Sequence, residues 1–83
     1  MDRATALDAL TKAAVDVLSV QADQVTEEAS FADDLDADSL DLVELVMQLE
    51  DSLDVTIDED DLGDVRTVGN AVDLILAAAA AKA

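Results

Sequence analysis

The chain contains no cysteine, histidine, proline, tryptophan or tyrosine, and Phe31 is its one aromatic residue. Without cysteine there is no disulfide, no thiolate metal site and no thiol nucleophile. Without histidine the commonest general base is missing, so a serine has no ready partner to take its proton. The absence of proline leaves helices uninterrupted, and the scarcity of aromatic residues disfavours a sheet. Two glycines are too few for a glycine-rich phosphate loop. Basic residues are nearly as scarce: 4 Lys and Arg stand against 21 Asp and Glu, for a net charge of −17, which argues against nucleic acid as a partner. With no charged-then-apolar leader and no long apolar span, the expectation is a soluble cytoplasmic protein without stable membrane insertion.

What remains is an acidic, helix-favouring chain of 83 residues, 52% of them hydrophobic. Most of the apolar residues are Ala, Leu and Val, and the length suits one domain with a small core. The acids are concentrated: 16 of the 21 lie between Glu27 and Asp64, and no Lys or Arg falls between Lys12 and Arg66. Such a segment steers basic surfaces towards it and repels acidic ones. A disordered acidic chain would lack the sustained Leu/Val periodicity seen here.

Four segments carry that periodicity. The first spans about Arg3 to Leu18, with Leu7, Leu10, Ala14 and Leu18 in register and Val15 widening the stripe. A long connection follows from Ser19 to Asp38, where Val25, Phe31 and Leu35 can pin the loop to a core. The second helix is expected from Asp38 or Ser39 to about Leu53. Asp38 can cap its free amides, and Asp41 lies favourably near the positive end of the dipole. Leu42, Leu45, Val46, Leu49 and Leu53 fall within an arc of roughly 100° and form its core stripe. Leu40, Val43 and Met47 face the other way, edged by Glu44, Glu50 and Asp51. A short helical turn over Asp58 to Val65 follows, with Leu62 and Val65 as its apolar contacts and Gly63 weakening it. Thr67 then caps a last helix bearing Val68, Ala71, Val72, Ile75 and Ala79, extended by the alanine-rich tail.

The stretch Asp36-Ala37-Asp38-Ser39-Leu40-Asp41 sets one serine among three carboxylates at the start of the second helix. Catalysis by Ser39 would need a base and oxyanion donors, so Ser39 reads as a modified residue or a plain helix-start serine. Asp34, Asp36 and Asp38 alternate as in the first half of a helix-loop-helix calcium loop. The second half fails, because Ser39 and Leu45 stand where Gly and Glu are needed, which leaves an acidic helical protein with weak divalent-cation binding as an alternative. An acidic inhibitor or decoy that uses the outer face of the second helix is another.

The run FADDLDADSLDLVELVMQLE, from Phe31 to Glu50, resembles the signature region of acyl carrier proteins. So do Ala29-Ser30-Phe31, Val43-Glu44-Leu45-Val46-Met47 and Arg66-Thr67-Val68, so that the similarity spans nearly the whole chain. The resemblance implies an all-α fold: a small four-helix bundle with a long first loop and a short third helix, in one carrier domain over 1–83, with a core at about 3–76 and a tail at 77–83. It implies a non-catalytic carrier with 4′-phosphopantetheine on Ser39, donated from coenzyme A, and acyl groups held on the arm as thioesters. It further implies an acyl pocket lined by Phe31, Leu45, Leu49, Leu62, Val65, Ala71 and Ile75, although Phe31 also reads simply as core. Partner enzymes would be a phosphopantetheinyl transferase, a malonyl transferase, a ketosynthase and reductases. Their basic patches would meet Asp38, Leu40, Asp41, Val43, Glu44, Met47, Glu50 and Asp51 on a monomer. The alternative for that face is burial of Val43 and Met47 under another helix, with the acids serving solubility. Bacterial fatty-acid synthesis of the free-standing type is the expected pathway, and a polyketide or other secondary pathway is the alternative. The chain departs from the family's pattern at Asp36, where Gly is frequent, at Asp58, where Pro is common, and at Gly63, where a side chain is usual.

Overall fold

The computed structural model describes residues 1–82. In chain order it has α1 (Arg3–Leu18), a 3-10 turn (Ala22–Gln24), α2 (Ser39–Leu53), a 3-10 segment (Glu59–Asp64) and α3 (Val68–Lys82). The fold is all-α as expected, with one correction to the expected four helices. The short third segment is 3-10, closed by i to i+3 bonds from Asp61 N–H to Asp58 carbonyl and from Val65 N–H to Leu62 carbonyl, each 3.1 Å. Its six residues lie between the buried Ile57 and Val65, a short connection of the kind that 3-10 geometry serves. The alanine-rich stretch continues α3 as far as Lys82, and Ala83 of the expected tail lies outside the described residues.

α1 opens with Asp2 accepting the Thr5 N–H at 2.8 Å and ends at Ser19, whose left-handed φ of 59° terminates the helix. It packs against both α2 and α3. Its buried face is Ala6, Leu10, Ala13 and Ala14, so the small side chains, more than the leucines, define where neighbouring helices approach. Val15, expected to widen the stripe, is 38% exposed. At 100° per residue it lies roughly 150° from the centre of the observed arc.

The long connection is an ordered layer over the core. Val25, Ala29, Phe31, Leu35 and Ala37 are all buried, which includes the three expected anchors. Its backbone also completes α3. The first amides of a helix lack intrahelical acceptors, and here Val68 N–H donates to the Ala29 carbonyl and Gly69 N–H to the Glu27 carbonyl, both at 2.9 Å. That approach explains Gly69, since a Cβ there would sit 3.1 Å from the Glu27 carbonyl oxygen. Phe31 N–H donates to the Arg66 carbonyl at 3.0 Å in the same seam. Thr67 caps α3 as expected, its hydroxyl accepting the Asn70 N–H at 3.2 Å while Asn70 Oδ1 accepts the amides of Arg66 and Thr67.

Arg3 ties the periphery together, donating to Glu27 at 2.8 Å and to Asp73 at 2.6 Å, and so joins α1, the loop and α3. These carboxylates raise its already high pKa further. Phe31, Leu10, Leu45, Leu49, Ile75, Val68 and Val72 form the centre of the core. No polar or charged side chain is buried among the described residues, so burial of apolar surface is the main stabilising contribution there.

Candidate functional site

Three local features bring Ser39 to the surface. Asp36 adopts a left-handed φ of 54°, a conformation that Gly takes freely and Asp tolerates. That is a physical reason for Gly being frequent at this place in the family the chain resembles. The turn sends Ala37 inward, where it is buried and its N–H donates to the Phe31 carbonyl at 2.7 Å. Asp38 then caps α2 in a reciprocal box: its carboxylate accepts the Asp41 N–H at 2.9 Å, and the Asp41 carboxylate accepts the Asp38 N–H at 3.2 Å. Such a box fixes the first helical turn. Ser39, the first residue of α2, is left exposed at the helix end.

Ser39 borders an open cleft of about 670 Å³, whose walls include Ser30, Phe31, Asp33, Ala37, Asp38, Leu42, Val65 and Arg66. Asp38 and Asp41, which flank Ser39 in sequence, are engaged in the cap, and the chain has no histidine. The serine is therefore accessible but unactivated, a geometry suited to being modified by another protein. It also fits a phosphate-linked group. The hydroxyl is exposed, the cleft gives room, and the α2 N-terminus has a positive dipole end whose Ser39 and Leu40 amides lack intrahelical acceptors.

A second space lies beneath. All seven residues expected to line an acyl pocket, Phe31, Leu45, Leu49, Leu62, Val65, Ala71 and Ile75, surround one apolar cavity. Leu10, Leu42, Val46, Ile57 and Leu74 complete its lining. Leu10, Leu42 and Val46 lay on the core stripes and could have been included, whereas Ile57 and Leu74 had no periodic signal of their own. The cavity measures about 10 Å³, room for roughly one water. Phe31, Leu42 and Val65 line both the cavity and the Ser39 cleft, so a thin apolar wall separates the two.

On the outer face of α2 the exposure of Leu40 and Met47 agrees with the periodicity, whereas Val43, expected beside them, is only partly exposed. Leu40 is 75% and Met47 61% exposed, and Val43 is half-buried. Neither Leu40 nor Met47 is covered by another helix. The acids around them divide into two groups. Glu44 and Asp51 are exposed, whereas Asp41 is held in the cap and the Glu50 carboxylate accepts the Ile57 N–H at 2.9 Å. Of Asp34, Asp36 and Asp38, the first accepts the Ser30 N–H at 2.6 Å and the last serves the α2 cap. Among the described residues no group of three His, Cys, Asp or Glu is placed to hold a metal ion, and no helix is long and apolar enough to cross a membrane.

Comparison with known proteins bears on the family of the chain. The family model for the phosphopantetheine attachment site matches residues 8–75. An acyl carrier protein of Petrotoga mobilis is 56% identical over 61 residues, which cover 74% of this chain and 72% of that protein. The solved structure of an acyl carrier protein from Enterococcus faecalis superposes with a TM-score of 0.73 at 37% identity, spanning 94% of this chain and 99% of the other.

Proposed function

The chain belongs to the acyl carrier protein family, and from that premise we propose that Ser39 bears its 4′-phosphopantetheine arm. The protein is a carrier, and the arm's terminal thiol supplies the thioester chemistry. The observation that carries the site assignment is the exposure of Ser39 at the head of α2, on an open cleft, with both neighbouring carboxylates tied up in the cap.

The residues divide the work. The Asp38–Asp41 box holds the first turn of α2 rigid, so that Ser39 is presented to a phosphopantetheinyl transferase in a fixed orientation. Leu40, Val43 and Met47 supply apolar contact to that enzyme and to a malonyl transferase, a ketosynthase and reductases. Glu44 and Asp51 attract the basic patches of those partners, with Asp38, Asp41 and Glu50 adding to the field at shorter or longer range. The acyl chain lodges among Phe31, Leu45, Leu49, Leu62, Val65, Ala71 and Ile75. A cavity of about 10 Å³ must widen for this, and the 3-10 segment Glu59–Asp64 is the wall we assign to that movement, since it supplies Leu62 to the lining and carries Gly63 on its exposed side. The protein works as a cytoplasmic monomer in fatty-acid synthesis of the free-standing bacterial type. Neighbouring genes for fatty-acid enzymes would support this pathway, and a polyketide cluster would replace it.

The direct test is incubation with a broad-specificity phosphopantetheinyl transferase and coenzyme A, followed by mass spectrometry. The wild type gains one arm, and Ser39→Ala gains none while keeping its helical signal. Fragmentation that places the group on Ser19, Ser30 or Ser52 overturns the assignment.

A further inference from the structure

The carboxylates outnumber the basic residues by 21 to 4 in this chain, so a cation left without a partner is conspicuous. Arg3 holds Glu27 and Asp73, and Lys12 holds Asp8 at 3.2 Å. Arg66 is exposed, and its guanidinium has no ion-pair partner among the described residues. It lines the cleft that Ser39 borders.

The backbone of Arg66 is fixed from both sides. Its N–H donates to Asn70 Oδ1 at 3.1 Å, and its carbonyl accepts the Phe31 N–H at 3.0 Å. Val65 before it is buried in the core, and Thr67 after it caps α3. The Cα therefore has little freedom, and the long side chain sweeps a limited volume that includes the cleft. The opposite charges there are those of Asp33 and Asp38. Asp38 already accepts the Asp41 N–H, which leaves Asp33 as the competing partner for Arg66 before modification.

We propose that Arg66 is a positioning residue for the arm, pairing across the cleft with the phosphodiester that joins it to Ser39. This rests on the assignment of Ser39 as the attachment site. Attachment adds a negative charge to a wall that already carries two carboxylates, and the helix end alone opposes that repulsion only in part. A guanidinium meets a phosphate with two parallel N–H donors, which gives direction as well as attraction. The pair holds the root of the arm against the cleft, above the Phe31, Leu42 and Val65 wall, while the distal thiol stays free to swing. Arg66 makes this possible because α3 is capped at Thr67 and Asn70 by neutral groups, which leave the guanidinium free for the arm.

The test uses the full chain in unmodified and modified forms, with modification verified by mass. In the wild type, attachment shifts the Arg66 Nε–H resonance and slows its exchange with solvent. The phosphorus resonance of modified Arg66→Gln is displaced from that of the modified wild type, and 0.5 M salt shrinks the displacement, in keeping with partial exposure of the pair. Arg66→Gln also loses more melting temperature on attachment than the wild type, and Arg66→Lys falls between them. An unchanged Arg66 Nε–H resonance on attachment overturns the proposal without any variant. Equal phosphorus resonances with equal melting changes overturn it as well. So does an Arg66 signal that moves with Asp33→Asn but not with attachment. Failure of the wild type to be modified, while a control carrier is, overturns the attachment-site reading itself, and that failure is read from the mass alone.

Discussion

The Glu50 carboxylate accepts the Ile57 N–H at 2.9 Å, across the turn that leaves α2. The Glu50 carbonyl is used there too, accepting the amides of Asp54 and Val55 as Asp54 turns through a left-handed φ of 54°. One residue thus ends the helix with its backbone and directs the following strand of chain with its side chain. The sequence pattern had grouped Glu50 with the outward acids. Glu50 is only partly exposed, and its carboxylate serves the fold through the Ile57 amide.

Glu50→Ala is therefore expected to destabilise the protein by about 1–3 kcal/mol, because it leaves the part-buried Ile57 amide without an acceptor. Glu50→Gln keeps an acceptor oxygen and should lose less. Asp51→Ala, one residue on and exposed, should stay within about 0.5 kcal/mol of the wild type. Urea unfolding of the three variants separates these cases, and equal losses in all of them would mean that the Ile57 bond does not contribute.

The two glycines should respond oppositely to alanine. Neither has a positive φ, so backbone strain is not the reason for either. At Gly69 the new Cβ would lie 3.1 Å from a backbone oxygen that also accepts the Gly69 amide, so Gly69→Ala must push the loop from α3 and should destabilise by about 1 kcal/mol or more. At Gly63 a Cβ meets nothing within 4 Å. Gly63→Ala should stabilise by about 0.4–1 kcal/mol through the unfolded chain. Thermal melts read both signs directly.

Much of this architecture was legible because local signals agreed. The α2 boundaries followed from a leucine stripe and an Asp cap with a second Asp three residues later, and Val25, Phe31 and Leu35 stood out as isolated apolar residues in a polar loop. The face of α1 was harder to read. Alanine is apolar enough to be buried and small enough to be exposed, so Ala6 and Ala13 gave no direction, and Val15 drew the stripe the wrong way. Other features had no local signal at all. The bonds from Val68 and Gly69 to the loop, the reach of Arg3 to Asp73, and the cleft shared by Ser39 and Arg66 join residues far apart in sequence. The left-handed turn at Asp36 was hidden because the usual glycine is replaced.

Salt and pH should act on the same excess of charge in two regimes. At neutral pH the net charge of −17 repels itself in the compact state, so added salt or millimolar divalent cations should raise the melting temperature. Acidification towards pH 5 should do likewise by reducing that charge. Further acidification reverses the trend. The Thr5 side chain, and then its N–H, hold the Asp2 carboxyl below its ordinary value of 3.8. A group whose folded pKa is depressed contributes stability above the unfolded value, and that contribution is lost as the pH falls through the folded value. The α1 cap should therefore weaken below pH 3.8, and Asp2→Asn, which can still cap without titrating, should soften the decline. Melts that are indifferent to salt would contradict the first regime, and identical acid limbs for the two proteins would contradict the second.

The outer face of α2 should separate charge from contact in partner kinetics. Glu44 and Asp51 are exposed at the edges of the strip, whereas Met47 offers 61% of its surface at the centre. Charges at a rim mainly speed and orient encounter, and a desolvated apolar anchor mainly slows departure. Glu44→Lys or Asp51→Lys should thus slow association with a ketosynthase or malonyl transferase, and should flatten its dependence on salt. Met47→Ala should chiefly raise the dissociation rate, with the helical signal and melting temperature nearly unchanged because the side chain stands outside the core. Glu50→Lys should differ from both, since it removes the acceptor of the Ile57 amide and lowers stability together with association. Stopped-flow binding across a salt series, run beside thermal melts, distinguishes the three. If charge reversal at Glu44 and Asp51 leaves association untouched while Met47→Ala unfolds the bundle, the strip is not the docking face, and recognition must lie on another surface of the carrier.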